Sequence, residues 1–195
     1  MKTRFNTKKL VTMAMLTALS IIFTAVIKIP GIFSAASFLS YHAGDIPMVI
    51  GALMYGPATG VILAFLQATL QFLLLGARNG LVSWLMNFIA GGTLCFVIGF
   101  VYSRMKRSSL SAVLAVVLGS LAMTISMVGW NLLITPLYMN MTREAVLKIL
   151  LPGIIPFNLL RSCLNSVLGL AIYKAIARFI NPRQKQPKRR DKSAA

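Results

Sequence analysis

The stretch that decides the fold is Pro156-Phe157-Asn158-Leu159-Leu160-Arg161-Ser162-Cys163-Leu164-Asn165-Ser166, which carries polar side chains inside a long apolar segment. A helix turns ~100° per residue and places Asn158, Arg161, Ser162 and Asn165 in one sector. An arginine at membrane depth is costly unless it faces a protected interior. The stripe therefore predicts a buried helix face, which either meets a polar ligand or only bonds to neighbouring helices.

The composition around this stretch is that of a polytopic membrane protein. The chain has 195 residues, of which 57% are hydrophobic and only 12% are charged, whereas soluble domains are about 25% charged. The formal charge of +17 does not indicate nucleic-acid binding, because the basic residues gather at the ends of apolar runs and in the last segment. We predict one all-α membrane domain over residues 1–182 and a basic, disordered tail over 183–195.

Apolar runs predict six transmembrane helices in one bundle, at 10–27, 46–55, 57–76, 81–103, 108–135 and 153–180. A single helix over 46–77 would reach ~48 Å, more than the ~30 Å hydrocarbon core. Gly56-Pro57 is therefore expected to divide it. Pro136 is expected to end the fifth helix, and residues 143–151 predict a short amphipathic surface helix.

Residues 28–44 contain prolines, glycines and serines, and they predict an ordered extramembrane loop of the kind that often covers a binding site. Phe38 and Tyr41 would cover a ligand or rest on the bundle. His42 is the single histidine, so we interpret it as a loop residue and predict no metal site. Asp45 is positioned to cap the next helix. Pairing of Asp45 with Arg161 is the alternative.

The distribution of basic residues predicts the orientation. With six helices both termini lie on one side, and the segments on that side hold most of the 20 lysines and arginines. The positive-inside rule places that side in the cytoplasm of a cell whose plasma membrane the chain crosses several times. The 28–44 loop then lies outside, and Asn131 and Asn158 can converge near the outer surface.

Several functions are excluded by what the sequence lacks. It has no phosphate-binding loop pattern. Three acidic residues and one histidine supply neither a zinc-protease motif nor a catalytic triad. No acid lies mid-span, which disfavours an ion-coupled carrier. Cys95 and Cys163 lie within apolar spans and are interpreted as packing residues. We predict a binding subunit, not an enzyme, that needs no cofactor and depends on a partner for energy.

Short motifs along the chain resemble those of the S components of energy-coupling factor (ECF) vitamin transporters. They are, in order, Asp45-Ile46-Pro47, Ile50-Gly51-Ala52, Gly56-Pro57, Leu151-Pro152 and Ile155-Pro156-Phe157-Asn158-Leu159-Leu160-Arg161. The set looks most like the riboflavin-specific branch and covers nearly the whole chain. The resemblance implies a six-helix subunit that captures a vitamin and docks on a transmembrane coupling subunit served by two ATPases.

The resemblance also implies roles for particular residues. The vitamin would lie near the outer surface, and we assign its site to Phe38, Tyr41, Asp45, Asn87, Asn131, Asn158, Arg161 and Asn165. An alanine-rich face of the first helix, here Ala14 and Ala18, would dock on the coupling subunit. Arg161 departs from the pattern, since the riboflavin branch is expected to carry lysine there. Arginine presents a planar fork where lysine presents a point charge.

Riboflavin is therefore the first predicted ligand, with hydroxymethylpyrimidine, a pyridoxine-like vitamin or pantothenate as alternatives. Two hypotheses of other classes accompany this one. The chain could be a self-sufficient small carrier or channel. It could also be a membrane-embedded enzyme or assembly factor that holds an anionic lipid through Arg161.

Overall fold

A computed structural model of the chain describes residues 7–76, 80–106 and 108–180, the last three by their backbone alone. The α-helices are α1 (Thr7–Val26), α2 (Asp45–Tyr55), α3 (Pro57–Leu75), α4 (Gly80–Arg104), α5 (Ser109–Met139), α6 (Arg143–Ile149) and α7 (Ile155–Ile180). A short hairpin of β1 (Lys28–Pro30) and β2 (Ser40–His42) follows α1. The predicted tail 183–195 and Arg78 of the predicted turn lie outside the described residues.

The predicted all-α membrane bundle of six helices is confirmed. Within the described ranges, five helical segments are long and apolar enough to cross a membrane, namely α1, α3, α4, α5 and the continuous segment from α6 to α7. The sixth bundle helix, α2, is apolar but has only 11 residues. It is buried from Asp45 to Leu53 and packs against α1, α3, α4 and α7. The bundle is therefore built around a short helix that is buried over most of its length.

The break between α2 and α3 lies where the sequence predicts it. Gly56 adopts a φ of 90°, which favours glycine. Pro57 then begins α3, where its missing N–H costs no helical hydrogen bond. The break also packs closely on α4, because a Cβ at Gly99 would lie 2.7 Å from the backbone nitrogen of Pro57.

The prediction that Pro136 ends the fifth helix is wrong. Helix α5 continues through Pro136 to Met139 and ends at Asn140, which adopts a left-handed conformation with a φ of 51°. A membrane helix tolerates an internal proline, since neighbouring helices and hydroxyl side chains compensate for the missing N–H. The residue that ends α5 is therefore the left-handed Asn140.

The loop over 28–44 has more regular structure than its composition predicts. Strands β1 and β2 pair antiparallel, with Lys28 opposite His42 and Pro30 opposite Ser40. Between them, residues 31–39 form a compact connection with a 3₁₀ turn at Ser34–Ala36. We call residues 31–39 the loop tip. The interpretation of His42 as a loop residue is wrong, because it ends a strand and is buried.

A π-helical turn over Leu150–Ile154 joins α6 to α7, a feature that was not predicted from the sequence. Its Gly153 is buried against the loop tip, where an added Cβ would lie 2.6 Å from the Cβ of Ala36. Such turns are rare and occur frequently at functional sites. The turn thus brings the start of α7 under the loop that follows α1.

Candidate functional site

A cavity of about 340 Å³ lies between the hairpin and one end of the bundle. This volume falls within the ~300–1,000 Å³ typical of small-molecule sites. Its lining comes from the hairpin with its loop tip and from α3, α4, α5 and α7. Five of the predicted site residues line it: Phe38, Asn87, Asn131, Asn158 and Arg161. Aromatic rings of Phe72, Trp84, Tyr138 and Phe157 add apolar walls.

Arg161 on α7 is bound by Asp45 on α2. Arg161 Nε donates to Asp45 Oδ2 at 2.8 Å, and Nη2 donates to Asp45 Oδ1 at 3.0 Å. Asp45 is completely buried and Arg161 is 5% exposed. The alternative pairing is thus the one observed, and the expected capping role of Asp45 is wrong, since no side chain caps α2. A two-point bond to a buried guanidinium is stronger than a bond to a backbone amide.

Asn165, one turn further along α7, joins this pair to strand β2. Its Nδ2 donates to Asp45 Oδ2 and to the backbone oxygen of His42, both at 3.0 Å. Its Oδ1 accepts from the Tyr41 hydroxyl at 2.7 Å. Tyr41, Asp45 and Asn165 are not among the residues that line the cavity. Their hydrogen bonds hold Arg161 in position and connect β2 to α7.

Asn87 on α4 receives hydrogen bonds from two sides. Its Oδ1 accepts from Arg161 Nη1 at 3.3 Å and lies 3.4 Å from Nε2 of His42. Because this oxygen is an acceptor, Nε2 of His42 carries the hydrogen in that contact. Asn87 lines the cavity, and its Nδ2 makes no hydrogen bond within the described chain.

His42 is a site residue that sequence reasoning missed. It lines the cavity and is 3% exposed, and its Nδ1 has no partner among the described residues. Burial lowers the pKa of His42 to about 4, and the positive charge of Arg161 acts in the same direction. The imidazole is therefore neutral at physiological pH. Burial likewise raises the pKa of the neighbouring Tyr41 phenol, with the Asp45 charge as a second cause.

Asn131 and Asn158 converge on the cavity from α5 and α7, as predicted, and each is anchored to its own helix. Asn131 Nδ2 donates to the Met127 oxygen at 2.7 Å, and its Oδ1 accepts from Thr135. Asn158 Nδ2 donates to the Ile154 oxygen at 2.8 Å. Asn158 Oδ1 has no hydrogen-bond partner in the part of the chain that the structure describes. This oxygen is a free acceptor on a fixed side chain.

We name Tyr41, His42, Asp45, Asn87, Arg161 and Asn165 the floor cluster. The loop tip lies over the cavity and is attached differently. Its hydrogen bonds, such as Gly31 N to Leu39 O and Leu39 N to Ala36 O, are internal. None joins it to another part of the described chain. Only packing, including the contact of Ala36 with Gly153, holds it against the bundle.

The predicted docking residues lie on α1, away from the cavity. Ala14 and Ala18 are exposed, whereas Met13 and Thr17 turn toward the bundle and are buried. The exposed face also carries larger side chains such as Met15 and Ile22. The small residues are thus available to a partner helix, and their docking role stays a prediction.

Residues 8–173 match the family described as ECF transporter, substrate-specific component. The chain belongs to this family. It is an S component, a subunit of a bacterial ECF transporter that associates with an energising module and is not an enzyme. Its location in the membrane, with several crossings, agrees with the five apolar helical segments.

Similar proteins resemble this S component along most of its length. The riboflavin transporter FmnP of Bacillus subtilis is 29% identical over 175 residues, which are 85% of this chain and 90% of that protein. The riboflavin transporter RibU of Staphylococcus aureus is 28% identical over 180 residues, 89% of this chain and 92% of that protein. A solved structure described as the S component of a bacterial ECF transporter aligns with a TM-score of 0.76 and 27% identity, covering 89% of this chain and 98% of that one.

Proposed function

We propose that this S component captures an aromatic vitamin, riboflavin first, in the cavity between the hairpin and the bundle. The observation that carries the proposal is a set of fixed but unsaturated hydrogen-bonding groups beside aromatic walls. Asn87 Nδ2 and the remaining N–H groups of Arg161 are donors, and Asn158 Oδ1 is an acceptor. A flat ring whose edge carries alternating carbonyl and N–H groups complements this set.

The identity of the ligand is further supported by the relatives described as riboflavin transporters, which match this chain over most of its length. Riboflavin has such an edge on its ring system, and its apolar surface suits Phe72, Trp84 and Phe157. Arginine replaces the expected lysine, but Asp45 fixes its fork and leaves N–H groups directed elsewhere. Hydroxymethylpyrimidine and a pyridoxine-like vitamin remain alternatives of smaller size.

Transport in this proposal needs a partner. Both termini lie in the cytoplasm, the cavity opens outward, and the face of Ala14 and Ala18 docks on a transmembrane coupling subunit driven by two ATPases. The orientation follows from the excess of basic residues on the side of the termini. The exposed small residues of α1 favour close approach by another helix.

The test is direct binding. The purified protein should carry flavin absorbance or quench riboflavin fluorescence in a saturable titration. Asn158→Leu removes the free acceptor and should weaken binding by about tenfold or more, the effect of leaving a ligand N–H unpaired. Ser109→Ala, at the opposite end of α5 from Asn131, is the control. A protein without flavin affinity would exclude riboflavin and leave the family assignment unchanged.

A further inference from the structure

Beneath the cavity, the positive charge of Arg161 is balanced by the negative charge of Asp45. The guanidinium of Arg161 gives two of its N–H groups to Asp45 and one to Asn87. Asp45 in turn accepts from Arg161 and Asn165 and has no contact with the cavity. The pair is enclosed, so water screens it little. A ligand that reaches Arg161 therefore meets a cation and an anion together.

The other titratable groups at this depth add no charge. His42 is neutral, as its buried position requires. Tyr41 is a protonated phenol that donates to Asn165. Lys28, opposite His42 in the hairpin, also lines the cavity, but it is exposed and its charge is screened by solvent. The floor cluster thus has a net charge near zero.

We propose that Asp45 is a specificity-determining residue: by occupying the fork of Arg161, it makes the cavity select an uncharged ligand edge and disfavour a carboxylate. An arginine with a free fork would bind a carboxylate at two points. Here two N–H groups of Arg161 already bind the carboxylate of Asp45. A ligand carboxylate would therefore lie on the other side of the guanidinium and would be repelled by the negative charge of Asp45. The inference rests on the proposed function and narrows its ligands. It disfavours pantothenate, which is a carboxylate, relative to the other vitamins considered.

The experiment uses one ligand in two charge states. Riboflavin is neutral at physiological pH and becomes anionic in alkali, when its ring imide loses a proton, while arginine stays charged. The affinity of the protein for riboflavin is measured by fluorescence quenching at neutral pH and again in alkali, where the ring imide is deprotonated. The wild type should bind the anion about tenfold or more weakly than the neutral form. Asp45→Asn removes the negative charge on the far side of the guanidinium and should reduce the ratio of the dissociation constants for the anion and the neutral form by about tenfold.

Two control variants are measured under the same conditions. Glu144→Gln removes an acid on the exposed helix α6 and should leave the ratio unchanged. The double variant Asp45→Asn/Arg161→Gln makes the pair neutral again and should restore the preference for neutral riboflavin. An unchanged ratio in Asp45→Asn, or an equal change in Glu144→Gln, would overturn the proposal.

The proposal can also be tested with the wild type alone, so it remains testable if Asp45→Asn does not fold. Equal or tighter binding of the anion by the wild type would overturn it. So would a carboxylate identified by mass spectrometry as the ligand that co-purifies with the wild type at neutral pH. If the wild type binds no flavin but co-purifies with another uncharged aromatic ligand, riboflavin fails as the proposed ligand. The proposed preference for an uncharged ligand is then supported.

Discussion

The floor cluster and the loop tip border the same cavity but are held by different forces. The floor cluster has an ion pair and hydrogen bonds that connect β2, α2, α4 and α7. Among the described residues, the loop tip makes hydrogen bonds only within itself, and it otherwise packs on the π-helical turn. Local opening costs least where few contacts cross a boundary. The difference indicates that the floor is the fixed reference of the site and the tip is the part that can move.

The largest effect is expected from breaking the floor cluster at its centre. Arg161→Ala leaves Asp45 as an unpaired buried charge, which costs ~3–5 kcal/mol. Unfolding in detergent, followed by circular dichroism against temperature and denaturant, would measure the loss. Lys148→Ala, which removes a cation from the exposed face of α6, is the matched control. Equal stability of the two variants would contradict the assigned role of the pair.

A second effect should appear on acidification, because His42 is buried and neutral. Its pKa is about 4 in the folded protein, against 6.5 ordinarily. Between these values the unfolded state binds more protons, so stability is complete above pH 6.5 and falls as the pH drops toward 4. The total loss is on the order of 3 kcal/mol.

This pH dependence is measured as the unfolding midpoint from neutral to acidic pH. His42→Gln keeps a polar side chain that cannot titrate, and it should flatten the profile over this range. If the profiles of the wild type and His42→Gln coincide, another group causes the acid sensitivity.

A third, smaller effect is expected at the edge of the floor cluster. Asn165→Leu removes the hydrogen bonds with Tyr41, His42 and Asp45. The buried Tyr41 hydroxyl then loses its acceptor, whereas Asp45 keeps both hydrogen bonds from Arg161. The expected destabilisation is ~1–3 kcal/mol. Tyr41→Phe removes only one of these bonds and should cost ~0.5–1.5 kcal/mol. A reversed order in the unfolding measurements would show that Asn165 does not link β2 to α7.

The smallest change in stability, but a specific change in motion, is expected at the loop tip. A methyl group at Gly153 would lie 2.6 Å from the Cβ of Ala36 and push the tip outward. Gly153→Ala should therefore increase hydrogen exchange of the amides in 32–39 and speed ligand release, with a change in stability of ~1 kcal/mol or less.

Gly129→Ala is the control for this variant. Gly129 lies in α5, and an added Cβ would meet nothing within 4 Å. The substitution should leave exchange in the loop tip unchanged. If Gly153→Ala and Gly129→Ala change hydrogen exchange in the loop tip equally, the contact with Gly153 does not keep the loop tip in place.

Much of the bundle could be predicted because apolar runs and breakers are local signals. The break at Gly56-Pro57 is one example. Pro136 misled because its effect depends on the surroundings, and neighbouring helices support an internal proline in α5. The hairpin escaped prediction because each strand has three residues and β1 ends in Pro30. Such short strands leave no measurable alternation.

The candidate site divides in the same way. The stripe on α7 follows from helical spacing, and Asn158, Arg161 and Asn165 are all buried as that spacing predicts. The choice between a cap and an ion pair for Asp45 depends on a contact across 116 residues, which no local pattern decides. His42 was missed for a related reason. Its importance comes from Asn87 on a distant helix, and the only local hint was its place beside an aromatic residue.

The ion pair of Asp45 and Arg161 also bears on how the protein is made. During synthesis Asp45 leaves the ribosome long before Arg161, and until the last helix inserts its carboxylate has no cationic partner. A chain interrupted before α7 would carry an unneutralised acid in an apolar bundle. The last helix to be synthesised therefore supplies the cation that neutralises Asp45, so the cluster beneath the cavity is complete only once α7 is in place.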